Sequence, residues 1–360
     1  MKIAIYHNLN AGGALFQIKK LIEFTKEENE IHIFSPNNNL SNLYLTTHHY
    51  YKTTDPRNIT EHLIHGLFEL SSINKNIAKD IDSGIFDVVY VFPCYVTQSP
   101  DVLRFLKHKS VIYFFAERKR EFSEKTSFDH YTIKRVLTRA LRFPIFLKDY
   151  INCIHATRII TNSIYSKNVL KKTYRKESKV IYPGLKQTTP KAFQVKNTDK
   201  AIIVGQLSYI KGYDIAINLL RKSGYKEVSV VGRKTNDFNF IKSYSKKLGV
   251  KINLLETESD NEKDAQYKKH GVFIACQRKE PFGITTLEAC YNNNIVIGLN
   301  EGGTPEIIHH GLNGLLFNTN DLEIVAKILS KIRKLKKINI LKVNTIDWKL
   351  MAKQITSIQL

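Results

Sequence analysis

The chain is short of the residue types that staple small or secreted folds. Its 360 residues include only four cysteines, Cys94, Cys153, Cys276 and Cys290, scattered with no CxxC and no nearby histidine pair. That pattern argues against a disulfide framework or a zinc site, and it suits reduced, structural cysteines of a cytosolic protein. No apolar run reaches the length of about 18 residues that a membrane-crossing helix needs. The opening, MKIAIYHNLNAGG, turns polar too early for a secretory signal. No internal repeat and no low-complexity tail is present. Acidic residues are scarce as well: 33 Asp and Glu stand against 55 Lys and Arg, for a formal charge of +22. Such an excess attracts anions without specifying them, whether nucleic acid, anionic lipid headgroups or phosphorylated substrates. The chain is rich in Lys, Ile and Asn throughout, so a plain solvated lysine surface is the competing reading.

What is present is a regular alternation of strand-like apolar runs with helical patterns, the signature of parallel-sheet α/β domains. Lys2–Tyr6, Ile31–Phe34, Asp87–Phe92, Val111–Phe115, Arg158–Thr161 and Val180–Tyr182 read as the strands of one domain. Lys186–Lys200, KQTTPKAFQVKNTDK, is polar, contains Pro190 and lacks either periodicity, so it reads as a linker. A second series follows at Ala201–Val204, Glu227–Val231, Lys251–Leu254, Val272–Ala275 and Ile295–Gly298. Length and an apolar content of 42% allow two globular cores. Each domain is expected to be a doubly wound sheet that binds ligands at the carboxyl ends of its strands, and two such domains facing each other make a cleft. Within the first, Tyr131–Tyr150 interleaves Lys134, Arg135, Arg139, Arg142 and Lys148 with bulky apolar residues. A basic amphipathic helix of this kind can lie on an anionic membrane, although Pro144 is expected to break it.

The densest chemical signal lies in Gly271–Ala289, GVFIACQRKEPFGITTLEA, where Glu280 and Glu288 stand eight positions apart around Phe282-Gly283-Ile284-Thr285. The stretch reads as a buried strand, a loop and a helix start. Gly283 lets backbone approach a ligand, and N–H groups at a new helix N-terminus favour an anion such as a diphosphate. Carboxylates beside an anion site suit a sugar nucleotide, whose hydroxyls need acceptors while its phosphates need donors. Lys211-Gly212 opens a further predicted helix through Leu220, where a lysine can neutralise a diphosphate together with the helix dipole. The one DxD, Asp80-Ile81-Asp82, falls at a helix end before a strand, the wrong end for a ligand, and reads as a solvated turn.

These segments resemble the family 4 retaining glycosyltransferases of the GT-B fold. The Glu280–Glu288 stretch is similar to their E-x7-E signature, and NEGGTPEIIHHGLNGLLF (Asn300–Phe317) to the segment after it. VGQLSYIKGYD (Val204–Asp214) is similar to the opening of their donor domain. IITNSIYSKNVLKKTY with KVIYPGL (Ile159–Tyr174, Lys179–Leu185) resembles the end of their first domain. The resemblance implies two Rossmann-like domains facing a cleft: residues 1–185 binding the acceptor, linker 186–200, residues 201–346 binding the nucleotide sugar, and a final helix over 347–360 crossing back to the first. It implies Glu280 near the transferred sugar, Glu288 on the ribose and Lys211 on the diphosphate. Phe282, Gly283, Ile284 and Thr285 would meet sugar and phosphates, with Gly205 and Gln206 beside them. Gly12 and Gly13 would form the glycine loop next to the diphosphate and acceptor, and Glu306 starts another helix.

Two departures stand out. Gln206 occupies a position where the family usually has an arginine; Arg233, after Val231-Gly232, is a candidate substitute, with a surface role the favoured reading. Ala116 stands where many relatives carry a histidine, with Glu117 beside it either in a polar role or paired with Arg118 or Arg120. His7, at the end of the first strand, is a further group that could face the cleft. The implied activity is retaining transfer of a sugar from a nucleoside diphosphate sugar to a glycan or lipid-linked acceptor in surface polysaccharide assembly. No metal or other cofactor is expected, and neither is a nucleic-acid partner. The expected location is the cytoplasm, with peripheral contact at the inner face of the membrane. The alternatives are a GT-B epimerase or phosphorylase, and a non-catalytic carbohydrate- or nucleic-acid-binding protein.

Overall fold

The computed structural model of the chain describes residues 1–10, 12–37, 40, 45–54, 56, 59–108, 110–118, 120, 124–128, 133–184, 196–257, 259–335, 337–338 and 348–358. It falls into two compact units. The first comprises Met1–Lys125, His130–Gly184 and Ile346–Leu360; the second comprises Thr126–Asp129 and Leu185–Thr345.

In the first unit the elements run β1 (Lys2–Asn8), α1 (Gly13–Thr25), β2 (Glu30–Ser35), β3 (Thr46–Tyr50), α2 (Ile59–Ile64), a π-helical turn (His65–Glu69), α3 (Leu70–Ser83), β4 (Val88–Cys94), α4 (Val102–Phe105), β5 (Val111–Phe115), α5 (Ile133–His155), β6 (Arg158–Thr161), α6 (Ile164–Tyr174) and β7 (Lys179–Val180). The strands form one parallel sheet in the order β3-β2-β1-β4-β5-β6-β7. The central strands are continuous apolar runs because helices cover both faces; every residue of β4, VVYVFPC, is buried. The edge strand β3 escapes a reading by apolar runs, since its residues are Thr46, Thr47, His48, His49 and Tyr50. It is held by pairing with β2 and by the His49 ring stacked at 4.3 Å on Phe34.

Pro144 does not break α5, which runs unbroken on both sides of it. The side chains after the proline anchor the helix. Asp149 accepts from Ser99 N (2.8 Å) and Tyr174 Oη (2.5 Å), and Asn152 donates to Ser99 O (2.9 Å). Lys148 is buried, donating to Gly66 O (2.6 Å) and Leu67 O (3.0 Å) of the π turn and pairing with Asp101 (2.7 Å). This packing outweighs the one backbone bond that proline removes, a loss of about 3 kcal/mol in an isolated helix. It also takes Lys148 out of any membrane-facing charge, contrary to the sequence expectation. The last helix, α12 (Trp348–Thr356), is part of the first unit. It buries Met351, Ala352 and Ile355, and Gln17 of α1 donates to Met351 Sδ at 3.8 Å. Asp347 lies outside the described residues.

The second unit runs β8 (Lys196–Asn197), β9 (Ala201–Val204), α7 (Tyr213–Lys222), β10 (Glu227–Val231), α8 (Phe238–Lys247), β11 (Lys251–Leu255), α9 (Asp260–Lys269), β12 (Val272–Ala275), α10 (Ile284–Tyr291), β13 (Ile295–Leu299), β14 (Gly314–Phe317), α11 (Leu322–Lys334) and β15 (Lys337–Ile338). Six strands make a parallel sheet ordered β11-β10-β9-β12-β13-β14. Residues 186–195 of the expected linker lie outside the described residues, while Lys196–Asn197 pairs with β15 in a small antiparallel ribbon. The short β14, GLLF, is a sheet-edge addition that the sequence reading did not include. The core is lined by Ile203, Val230, Ile274 and Ile297 of the sheet and by Ile217 and Leu220 of α7. Phe128 joins it, its ring stacked at 4.3 Å on Phe240 and edge-on to Tyr209 at 5.0 Å.

Candidate active site

In the second unit the strand order reverses between β9 and β12. In a doubly wound sheet the carboxyl ends flanking such a reversal are where ligands bind. Gly205 and Gln206 leave β9 at that edge, and Cys276–Glu280 leaves β12. After β9 the chain makes a 3-10 turn, Tyr209–Lys211, then Gly212 at φ +67° opens α7. A Cβ at Gly212 would stand 1.8 Å from Cys276 O, so only glycine lets this turn lie against the end of β12. That close approach brings Lys211 to the loop after β12, where its Nζ meets Glu280 Oε2 at 2.6 Å. Arg278 braces both loops. It is bidentate to Asp214 (2.9 and 2.6 Å), donates to Tyr209 O (2.7 Å) and lies 4.1 Å over the Tyr209 ring. On the other side Gly303 N donates to Glu280 O (2.7 Å), and a Cβ at Gly302 would come within 2.4 Å of that oxygen.

Gly283, at φ +105°, turns the chain from Phe282 into α10. The first α10 backbone bond is Leu287 N to Gly283 O (3.0 Å). The N–H groups of Ile284 and Thr285 therefore stand at the helix start, outside its own bonding. One turn on, Glu288 is largely buried. Lys263 Nζ donates to its Oε1 at 2.8 Å and Tyr267 Oη to its Oε2 at 2.9 Å, both from α9. Burial pushes the Glu288 carboxyl up, and Lys263 opposes that shift. Burial also disfavours the Lys263 ammonium, but Glu288 and Asp260 outweigh it and its pKa is raised. Of the residues singled out from sequence, the structure thus gathers Gly205, Gln206, Lys211, Glu280, Phe282, Gly283, Ile284, Thr285 and Glu288 along the β9 and β12 edge. Lys263, Tyr267, Arg278 and Asp214 were missed. The only signal for the first two was a lone aromatic, spaced i, i+4 from a lysine, in the otherwise polar DNEKDAQYKK. Arg233 is exposed, and Glu306 closes a 3-10 turn, Thr304–Glu306.

The first unit presents its own candidates. Gly12, at φ +103° with open space where a Cβ would be, precedes Gly13, the first residue of α1. A pocket at the carboxyl ends of β4, β5 and β6 is lined by Ala14 and Gln17 of α1 with Phe92, Phe115, Ala116 and Asn162. Ala116 thus opens space beside α1 where a histidine ring would fill it. Glu117 pairs with Arg120 at 2.7 Å, and Arg118 with Glu124 at 2.8 Å. His7 is the next-to-last residue of β1, but its ring is fully buried and is not presented to a ligand. Burial, reinforced by His48, lowers its pKa to about 3, so it stays neutral. Asp80 accepts from Tyr51 Oη (2.6 Å) and Asp82 from Lys107 N (3.0 Å). All four cysteines are free and buried.

Two Rossmann-like units, one carrying a lysine–glutamate bridge and an acid-bearing helix at its switch point, make up a GT-B fold. Residues 186–345, nearly all of the second unit, match the family described as glycosyl transferases group 1. The chain is 23% identical over 333 residues to an uncharacterised 41.2 kDa protein in the cps region of Klebsiella pneumoniae, covering 88% of this chain and 86% of that one. Among solved structures, Anabaena HepE in complex with UDP is 17% identical with a TM-score of 0.61, over 99% of this chain and 98% of that one. Sucrose-phosphate synthase from Thermosynechococcus elongatus is 12% identical with a TM-score of 0.70, over 99% and 97%.

Proposed function

We propose that the protein transfers a glycosyl unit from a nucleoside diphosphate sugar to a glycan or lipid-linked acceptor in surface polysaccharide assembly, with retention at the anomeric carbon. The observation that carries this reading is the Lys211–Glu280 bridge beside the start of α10. With no donor bound, the two charges neutralise each other. An arriving diphosphate competes for Lys211 and releases the Glu280 carboxylate to accept from sugar hydroxyls. The N–H groups of Ile284 and Thr285 add donors for the phosphates, and the α10 dipole favours their charge. Glu288 accepts from the ribose. As the sugar–oxygen bond breaks, charge develops on the leaving diphosphate, and Lys211 with the N–H groups meets it without reorganising. In this reading the acceptor attacks from the face that the diphosphate leaves, and Gly12, Gly13 and the Ala116 pocket serve the acceptor side. HepE was solved with UDP, and the Klebsiella relative lies in a cps region; both support this donor type and this pathway class.

The test is a thermal-shift panel of nucleoside diphosphates and their sugars, on wild type and Glu288→Ala. A ligand at 100 times its dissociation constant should add about 2.7 kcal/mol to the stability of the wild type. We expect one base to give this shift and Glu288→Ala to lose it. No shift with any nucleotide would sink the reading.

The same proposal places the first unit against an anionic membrane. Leu141, Phe143 and Leu147 are exposed on α5, and Ile64 and Phe68 on the adjoining α2 and π turn. Arg139 and Arg142 share that helix, in a chain of charge +22. No described helix is long and apolar enough to cross a membrane. Each such side chain buried in lipid is worth roughly 1.5–3 kcal/mol. Phe143→Ser with Leu147→Ser should therefore weaken sedimentation with phosphatidylglycerol vesicles by about tenfold or more. Equal binding by the double variant would remove this part of the proposal.

A further inference from the structure

We propose that Lys263 and Tyr267 are positioning residues for the donor, holding Glu288 ionised and in one orientation so that it can accept from the ribose. This rests on the role given to Glu288 above and goes beyond it, because neither residue need touch the nucleotide.

A carboxylate offers about four lone-pair directions over its two oxygens. Lys263 takes one on Oε1 at 2.8 Å and Tyr267 one on Oε2 at 2.9 Å, so the group is gripped at both ends from one helix. The remaining directions suit two hydroxyls, as on a vicinal diol. The grip is itself anchored. Tyr267 is buried, with its hydroxyl also 3.1 Å from Thr285 O at the start of α10, and Asn294 Nδ2 donates to Tyr267 O at 2.9 Å. Lys263 is further held by Asp260 at 3.1 Å. The helix bearing these groups is capped by Ser259, whose Oγ accepts from Glu262 N.

The chemistry explains why a lysine is needed. An acid buried to this degree is favoured in its neutral form. A protonated Glu288 would lose acceptor capacity and gain a donor, the wrong polarity for a ribose hydroxyl already donating to it. Burial does push this carboxyl up, and the Lys263 ammonium is the largest opposing influence, with the Tyr267 hydroxyl bond next. The other charged group acting on Glu288 is Asp260, which raises it; Cys290, on the same helix, acts on Tyr267. Without Lys263, the burial effect and Asp260 both drive Glu288 towards the neutral acid.

The experiment is UDP affinity by calorimetry between pH 6 and 9 for wild type, Lys263→Met, Lys263→Arg and Tyr267→Phe. The ratio of each variant's Kd to that of the wild type cancels titration of the diphosphate itself. For Lys263→Met the ratio should be near its minimum at pH 9 and climb as pH falls, at up to tenfold per pH unit, because one proton is taken up. Lys263→Arg should restore a flat ratio, and Tyr267→Phe should give a smaller rise. A Lys263→Met ratio that is raised equally at every pH would mean mere structural support and would overturn the inference. If wild type binds neither UDP nor the ADP, GDP and CDP controls, the donor site itself is wrong, a failure visible before any variant is compared. If a different base binds, the same series is run with that nucleotide.

Discussion

Lys211→Met is expected to lower sugar transfer by about 10²–10³, the usual cost of losing one preorganised group at a site of developing charge. The ammonium bridges the loop after β9 to Glu280 on the loop after β12, at the carboxyl edge of one sheet. Its removal should do two things at once. The leaving diphosphate loses the lysine proposed to meet it, and Glu280 loses the ammonium at 2.6 Å in the empty site. Stability should fall as well, since both side chains are only about one-fifth exposed, 22% and 21%, and removing one partner leaves the other charge unbalanced. Initial rates with saturating donor, set beside a melting curve, separate the two effects. A variant that melts like the wild type and retains a third of its rate would rule out this role for Lys211.

Gly212→Ala should be the most damaging small substitution in the second unit. Two independent costs coincide there. Its φ of +67° is left-handed, which costs a residue with a side chain roughly 1–2 kcal/mol. The new Cβ would also meet Cys276 O at 1.8 Å, and that oxygen is backbone at the end of a buried strand. It cannot rotate away as a side-chain tip would. Relief must come by pushing the 3-10 turn off β12, which carries Lys211 away from Glu280. We expect destabilisation of roughly 4 kcal/mol or more, in the range reserved for named backbone clashes. The donor-induced thermal shift should be lost along with it. Gly249→Ala is the internal control: its φ of +66° is almost the same, but nothing lies within 4 Å of its Cβ. Equal losses at the two positions would show that conformation alone, and not the approach to Cys276, sets the cost.

The contrast between what could and could not be read in the chain follows from the same physics. Buried parallel strands must be apolar on both faces, so Val111–Phe115, Ala201–Val204 and Val272–Ala275 stand out as short unbroken runs and fold where they are read. Edge strands are under no such demand. Thr46–Tyr50 and Gly314–Phe317 are covered on fewer sides, and their residues carry no apolar run long enough to announce them. Pro144 misled because helix propensity is local, whereas Lys148, Asp149 and Asn152 fix α5 through partners about 50 to 80 residues away in sequence. In the site, glycines and acids were legible because each is demanded by its own backbone or charge. The bracing residues were not. Arg278–Asp214 and Lys263–Glu288 are pairs whose meaning lies in contact, and contact across 64 or 25 positions leaves no mark on spacing. His7 shows the converse: a residue type that suggests chemistry, carried by a strand two residues longer than read into a fully buried position.

The return of α12 to the first unit has a consequence for biosynthesis. The face of α1 near Gln17 is covered by Met351 and its neighbours, which are made only after the whole of Leu185–Thr345. The first sheet can assemble early on the ribosome, but it stays uncapped while every strand of the second is synthesised. The second unit is nearly continuous in sequence and needs from upstream only the short stretch around Phe128. The part of the chain that is translated first is therefore the part that is finished last.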